Sequence, residues 1–523
     1  MVNLPFPYNG WVAGLNTTAP AYDTEDSDGS SPDLLNVNGN ILGALVKRAG
    51  SYALNYHNTY AGATGLFAGA GWGGPHAPFL FAVGAASNYA VDPNDGSTSN
   101  TYGAGGLHAN TLWSFVEAPI GSGTAVVLGV NGVDPPQRYQ YLQPGATWAK
   151  TSGGVDVPNG RYCAYHEDQV FIAGTDNYPT GGATGPDPLS RVYWSAIKDP
   201  FNWDPQSNTG AGWMDFEPGD GKAITGLGTI GPYLLVFKPT KVWVLIDTGT
   251  GTKRQISDII GCVDHRSIQQ SPIGTLFMSR DRGVYVTSGT KLQPVSDKIL
   301  PSITDAYHAP AMYFHSHYYL VQGHYLYDYD LILGSWWRHT FQHDIVALTE
   351  IVITGRDGVT RDNLYAIDSA GNLVVLFQGA SDMQQWNALD AGPALTPGVA
   401  IPWHWFAPWQ SPSFYRRRRF PTPYYRKRTR QVRIRAMGTI GMSVAYDFLA
   451  NPDLPTFSFT TDIFRDTELP GYAPSGGNPG LAVFHGIGVA HAFQMQFSGN
   501  DSAAATMIEY TLMVNDRTNM IPA

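Results

Sequence analysis

Residues 231–247 read GPYLLVFKPTKVWVLID. Two runs of apolar and β-branched residues flank a Pro-Thr-Lys bend, the pattern of a β-hairpin with short strands. Downstream, GTLFMSRDRGVYVTSG (274–289) turns at Arg-Asp-Arg-Gly, and HYYLVQGHYLYDYD (317–330) turns at Gly323. Runs of the same kind extend outward in both directions. PFLFAVG, TAVVLGV, DQVFIAG and RVYWSAI lie before the central hairpin, and NLVVLFQ lies after it. Each spans four to seven residues bounded by Gly, Pro, Asn or Asp, and helical periodicity is almost absent from about 60 to 380. Hairpins recurring roughly every 40–60 residues suit propeller blades better than one sandwich. The fold expected is all-β: a β-propeller of about five to seven blades.

Composition agrees. The chain has 523 residues, 43% hydrophobic and 13% aromatic, enough for a large core and more than one domain. Charged residues are only 14%, against a usual quarter, and 59 Gly with 37 Pro sit between the apolar runs without a period. Cys163 and Cys262 form no CxxC pair, so they read as buried apolar residues in a reducing compartment. The opening MVNLPFPYNGWVAG has no basic-then-apolar signal pattern, and no run of about 18 apolar residues would span a membrane. VYWSAIKDPFNW (192–203) and YLYDYDLILGSWWRHT (325–340) echo each other, with Trp194, Trp203, Trp336 and Trp337 expected in the core between blades. Before and after the strand-rich region the character changes. The layout expected is 1–58 as the N-terminal part of a platform, 59–384 as propeller, and 385–523 as the C-terminal, β-rich part of the platform with a Pro/Trp-rich arm.

Signatures of chemistry are scarce. There is no GxSxG, GxxxxGK[ST], HExxH or Rossmann fingerprint. The acidic loop 23–33 has Asp26, Asp28 and Gly29 at calcium-loop positions but lacks the closing carboxylate, and reads as a solvated turn. His308, His315, His317, His324, His339 and His343 cluster without a Cys or carboxylate to close a metal set, so neither a metal nor a cofactor is expected. Ser279-Arg-Asp281-Arg-Gly283 resembles the Asp-box turn of sialidase-type propellers, where it is structural. The expectation is a protein without enzymatic activity.

The strongest feature is FYRRRRFPTPYYRKRTRQVRIR. Arg416, Arg417, Arg418, Arg419, Arg426, Lys427, Arg428, Arg430, Arg433 and Arg435 fall within twenty residues, in a chain of net charge −10. Arg433 and Arg435 alternate with Val432 and Ile434, as in a strand with one wet face. Two readings stand: contact with a DNA backbone, without sequence recognition, or docking on an acidic partner such as a neighbouring copy. Trp403, Trp405 and Trp409, in the Pro/Trp-rich arm, read as aromatics of a subunit interface or as a sugar-stacking surface.

Four phrases, in order, resemble one family. SSPDLLNVNGNILGALVKRAGSYAL (30–54) carries an Arg-Ala-Gly step, and RVYWSAIKDPFNW (191–203) carries Trp-Ser and then Asp-Pro. GKAITGLGTIGPYLLVFKPTKVWVLI (221–246) carries Phe-Lys and then Lys-x-Trp, and IGCVDHRSIQQSPIGTLFMSRDRGVYV (260–286) carries Arg-Ser-Ile and then Ser-x-Asp-x-Gly-Val-Tyr. Together they resemble the tail nozzle proteins (tail tubular protein B-like, tail hub) of short-tailed bacteriophages. The resemblance implies a propeller inserted in a platform made from both chain ends, and a homohexameric ring below an adaptor or head-to-tail connector. It also implies double-stranded phage DNA passing through that ring, a tail fibre or spike docked outside, and a place in the virion tail after assembly in the host cytoplasm. A carbohydrate-binding or glycan-active propeller, and another hub or head-completion protein, are the alternatives.

Overall fold

A computed structural model describes residues 4–8, 11–18, 30–40, 43–54, 60, 62–69, 79–83, 88–94, 96–102, 107–108, 111–120, 124–139, 146–147, 155–182, 184–185, 187–207, 209–354, 359–385, 398–407, 427–446, 459–463, 480–490, 493–501 and 506–516. Its strands form seven blades and one further sheet. Blades 1 to 6 are four-stranded antiparallel meanders in chain order. They start with Gly65–Gly69, Ser114–Ile120, Tyr162–His166, Gly226–Ile230, Gln269–Ser271 and Ala311–Phe314. Blade 7 takes Ile345–Thr354, Thr360–Asp368 and Leu373–Leu376 from the same run, and its fourth strand is Ser51–Ala53.

That fourth strand closes the ring. Ser51–Ala53 pairs antiparallel with Leu373–Leu376 and parallel with Gln384–Gln385. It thus sits in the propeller, although its number falls within the 1–58 segment that the sequence reading gave to the platform. Gly50 allows the approach: a Cβ there would meet the Ser381 carbonyl oxygen at 2.1 Å.

Each blade junction has its own apolar cluster. Ala90, Phe67 and Trp113 fill the junction of blades 1 and 2, and Val126, Ile172 and Trp203 that of 2 and 3. Phe171, Trp194 and Val236 fill 3 to 4, and Phe237 and Phe277 fill 4 to 5, with rings 4.9 Å apart. Tyr319, Leu326 and Leu364 fill 6 to 7, and Val91, Ile351 and Tyr365 fill 7 to 1. The first strands of neighbouring blades touch from blade 2 round through blade 7 to blade 1, so they lie innermost. Alternation along the middle strands of a blade feeds both neighbours, as Phe171 and Ile172 do, and this is why runs such as 170–173 and 234–237 are apolar at consecutive positions.

The cluster between blades 5 and 6 is larger. It joins Leu276, Tyr318, Trp336 and Trp337 to Trp11, Leu34, Trp405, Ile434 and Phe497. Of these last, Trp11 lies in a short 3-10 turn, Trp11–Ala13, and the others belong to a ten-stranded sheet built from both ends of the chain. Across that sheet run Leu34–Leu35, Ile401–Phe406, Phe493–Asp501, Lys427–Tyr446, Thr506–Asp516, Leu45–Lys47 and Val37–Gly39. Leu4–Tyr8 pairs with 506–516, while Phe459–Ile463 and Gly480–Ala490 pair with 427–446. The sheet is mounted on the outer strand of blade 6: Leu15 N donates to Trp336 O (2.7 Å) and Asn36 N to Arg338 O (2.9 Å). Trp11 meets Trp405 edge-on, with ring centroids 4.6 Å apart.

Candidate functional site

Five of the ten cations of the basic strip lie in described structure. Lys427, Arg428, Arg430, Arg433 and Arg435 belong to the twenty-residue strand Lys427–Tyr446, whereas Arg416, Arg417, Arg418, Arg419 and Arg426 lie outside the described residues. The strand is internal: residues 427–436 pair with Gly480–Ala490 on one side and with Thr506–Asp516 on the other. Both ladders skip Arg430, a β-bulge. Thr429 pairs with Val514 and Gly488, and Gln431 with Met513 and His485. The odd and even partners on each side show that the bulge reverses the alternation, so 428, 431, 433 and 435 share one sheet face. Ile434, on the other face, is fully buried in the core with Ile440 and Met442. Acidic residues stand opposite two of the cations, Asp516 across from Lys427 and Glu509 across from Arg435.

The tryptophans expected at an interface are elsewhere. Trp403 and Trp405 are 3% and 0% exposed. They lie in Ile401–Phe406, a strand rather than a loop or arm, on the face that packs against Trp11, Met442 and Phe497. The pattern IPWHWF explains this: alternate residues Ile401, Trp403 and Trp405 go to the core, and Pro402 and His404 to the other face. Buried in their own chain, the two offer no platform to a sugar or a partner. Trp409 lies outside the described residues.

Buried ion pairs were not legible beforehand. The Arg48 side chain is sealed and holds Asp382 through two bonds of 2.9 and 2.6 Å. Its Nε donates to Asn36 Oδ1 (2.8 Å), and its guanidinium lies 4.1 Å over the Phe341 ring. One residue thereby ties the ten-stranded sheet, the closing strand and the end of blade 6 together. Lys238, equally sealed, donates to Ser190 Oγ (3.0 Å), Glu217 O (3.1 Å) and Asp220 Oδ1 (2.8 Å). Burial raises the Asp220 carboxyl, but Lys238 and Lys241 outweigh it and hold the group below its usual value. Arg191, 1% exposed, is bidentate with Asp215 and lies 3.6 Å over Trp213. These are positions of the family-like phrases: Arg-Ala-Gly, the start of RVYW, and Phe-Lys. Their polar residues anchor the fold.

Titratable groups that lie close together are also committed to structural contacts. Ser114 Oγ lies 3.1 Å from His265 Nε2, between blade 2 and the link into blade 5. His265 Nδ1, however, accepts the Leu227 backbone N–H (3.3 Å), so Nε2 carries the proton and cannot take one from the serine. Burial pushes this imidazole down to about 4. The pair is a cross-propeller strut. Five of the six clustered histidines lie beside an aspartate: His308–Asp305, His315–Asp362, His324–Asp344, and His317–Asp328 with His339 on the far side of Asp328. Among the described residues no group of three or more His, Cys, Asp or Glu is arranged for a metal. Cys163 and Cys262 are free and buried, and burial pushes both thiols up to about 12. Of the acidic loop, Asp33 is described: burial raises its carboxyl, but His404 and Arg338 overcome this and hold it below the usual range.

No protein-family model and no curated protein matches the chain. Among solved structures, the WD40 domain of Neurospora crassa Pan2 is similar over 63% of this chain and 94% of that one, with 10% identity and a TM-score of 0.35. The seven-bladed assignment rests on strand pairing. Among the described residues, no helix is long and apolar enough to cross a membrane.

Proposed function

We propose that this chain is a non-enzymatic structural protein of a short-tailed bacteriophage tail. In this reading it forms a homohexameric nozzle ring below the adaptor, retains and conducts the genome during ejection, and offers a docking surface to a fibre or spike. The observation that carries the reading is where the family-like phrases fall. Residues 191–203, 221–246 and 260–286 map in order onto blades 3, 4 and 5, and 30–54 runs from the ten-stranded sheet into the closing strand. The polar residues that give those phrases their character, Arg48, Arg191 and Lys238, are the buried anchors of this architecture. A resemblance held by scaffold anchors supports a shared scaffold rather than a shared chemistry.

The mechanical demands of a tube support it too. A seven-bladed ring leaves only short strand edges, and its last blade is closed by a strand from the other end of the chain. The glycan reading loses its motive, because the two described tryptophans that prompted it are buried. The test is native mass spectrometry with negative-stain imaging of the purified protein at low and high salt. A six-fold ring with a hole wide enough for duplex DNA is the expected result. A monomer that ignores adaptor rings and binds or cleaves glycans would overturn the assignment.

A further inference from the structure

Blade 6 holds a row of ionisable groups at its joint with blade 7. The Asp328 side chain is sealed, and its Oδ1 lies 2.7 Å from Nδ1 of the half-buried His317. Its Oδ2 lies 3.5 Å from Nε2 of His339, which is equally sealed. Among the described residues, His339 Nδ1 has no hydrogen-bond partner. A sealed carboxylate needs a counter-charge, and His317 supplies it. The row thus holds one proton, on His317, and its second imidazole stays neutral. Against His339 stands Phe377, with ring centroids 5.5 Å apart and planes nearly perpendicular. Phe377 also meets Tyr319 at 5.0 Å and Phe341 at 5.8 Å, and Phe341 in turn lies under the Arg48 guanidinium. The φ of Phe377 is +58°, a left-handed conformation that is costly for an aromatic residue and is held here by its contacts. Phe377 directly follows Leu373–Leu376, the strand that pairs with the closing strand Ser51–Ala53.

We infer that this row is an acid-triggered latch on the closure of the propeller: a proton taken up by His339 releases Phe377 and the pairing of Leu373–Leu376 with Ser51–Ala53, while the other blades stay shut. The titratable groups that face the row are His317 and Tyr319 from strand His317–Gln322, Asp328 and Asp330 from Tyr325–Asp330, and Arg48 with its partner Asp382 from beside the closing strand. Their charges are already matched. Asp328 serves His317, Asp382 serves Arg48, and Asp330 accepts the backbone N–H groups of Ile332 and Leu333. A further proton on His339 is therefore an uncompensated charge in a sealed site. Water reaches that charge most cheaply by the departure of Phe377, which is already strained. Burial holds the His339 imidazole below its ordinary 6.5, Arg48 and His317 reinforce this, and Asp328 opposes it. The unfolded chain takes up this proton near the ordinary value, so the contribution of His339 to stability is lost as pH falls from about 6.5 through its lower folded value. His317 has the opposite sign. Asp328 outweighs burial and raises it, so its contribution is present in acid and is lost as pH rises through the raised value. The acid response therefore belongs to His339.

The experiment measures amide hydrogen exchange of the full chain at about pH 7 and about pH 5, with rates corrected for the intrinsic effect of pH. Protection at 373–376 should fall at least about tenfold more than protection in the middle strands of blades 3 and 4, the effect of one unit of pKa shift. His339→Gln, which cannot take up the proton, should remove this excess loss. His265→Gln should leave it in place, because that residue lies between blade 2 and the link into blade 5. If His339→Gln fails to fold, exchange at the histidine C2 position reads the wild type directly, and His339 should become charged in step with the opening of 373–376. Equal loss of protection in all blades, survival of the excess loss in His339→Gln, or its disappearance in His265→Gln would overturn the latch. So would a charged His339 with 373–376 still protected.

Discussion

Replacing Asp382 by alanine tests the architecture at its most concentrated point. Arg48 and Asp382 are 0% and 6% exposed in their side chains, and two charge-assisted bonds of 2.9 and 2.6 Å join them. Removing the carboxylate leaves a sealed guanidinium with the carbonyls of Ala49 and Thr340 and the amide of Asn36. Those neutral acceptors solvate the charge only in part, and a buried pair broken on one side costs about 3–5 kcal/mol. Ser51 Oγ also loses its 3.3 Å partner, so the cost reaches the closing strand. Removing both charges together, as Arg48→Met with Asp382→Leu, should cost at least about 2 kcal/mol less than the two single changes added, because neither charge is left stranded. Urea unfolding followed by tryptophan fluorescence reads all three, since Trp336, Trp337 and Trp405 lie in the adjoining cluster. A cost for Asp382→Ala below about 1 kcal/mol, or strict additivity in the cycle, would refute the view that this pair locks the ring.

Other outcomes follow from the same contacts. His265 has a folded pKa of about 4 against an ordinary 6.5. Unfolded chains therefore take up a proton that the fold refuses as pH falls from about 6.5 towards 4, and stability should drop by roughly 3 kcal/mol over that window. His265→Gln should lose this part of the pH dependence, measured as the change in urea midpoint between neutral and mildly acid buffer. Cys163 and Cys262 should resist a thiol reagent in the native protein and react, two per chain, in denaturant. Reaction of either without unfolding would contradict their burial. Trp405→Ala should cost about 3–5 kcal/mol in the same unfolding assay, because a fully buried ring is lost from the joint core of sheet and propeller. A near-neutral result would mean that this core is not continuous.

The sequence announced the local part of this structure. Short apolar runs with Gly and Asp turns specify meanders, and the hairpins at 233–247, 274–287 and 317–330 formed where the turn residues placed them. The dry position of Ile434 was also readable, from the alternation of 432–435 alone. What was hidden depends on long-range closure. Nothing in SYA marks residues 51–53 as the last strand of a blade whose other strands begin near 345. Nothing near Arg48 names a partner 334 residues away. The tryptophans of 403–405 were misread because proline and tryptophan together suggest an exposed arm. The alternation of IPWHWF carried the better signal, since a strand with tryptophan at every second position needs a core to receive it.

Closure also ties the propeller to the sheet built from both chain ends. The strand Ser51–Ala53 is only three residues long, too short to hold a ring shut by its own ladder. It is flanked by Gly50, pressed against the Ser381 carbonyl, and by Arg48, locked to Asp382, so the two strands that grip it are fixed from outside the blade. Arg48 is in turn fixed by Asn36, whose own backbone bonds to the outer strand of blade 6. Opening the propeller at blade 7 therefore means dismantling the edge of the ten-stranded sheet, and strain on that sheet is transmitted to the closing strand. A chain cut after residue 54, with the N-terminal piece washed away, should lose blade 7 before any other blade, with amide hydrogen exchange rising first at 373–376 and 384–385. Uniform loss across all seven blades would instead mean that the ring is held by its apolar junctions alone.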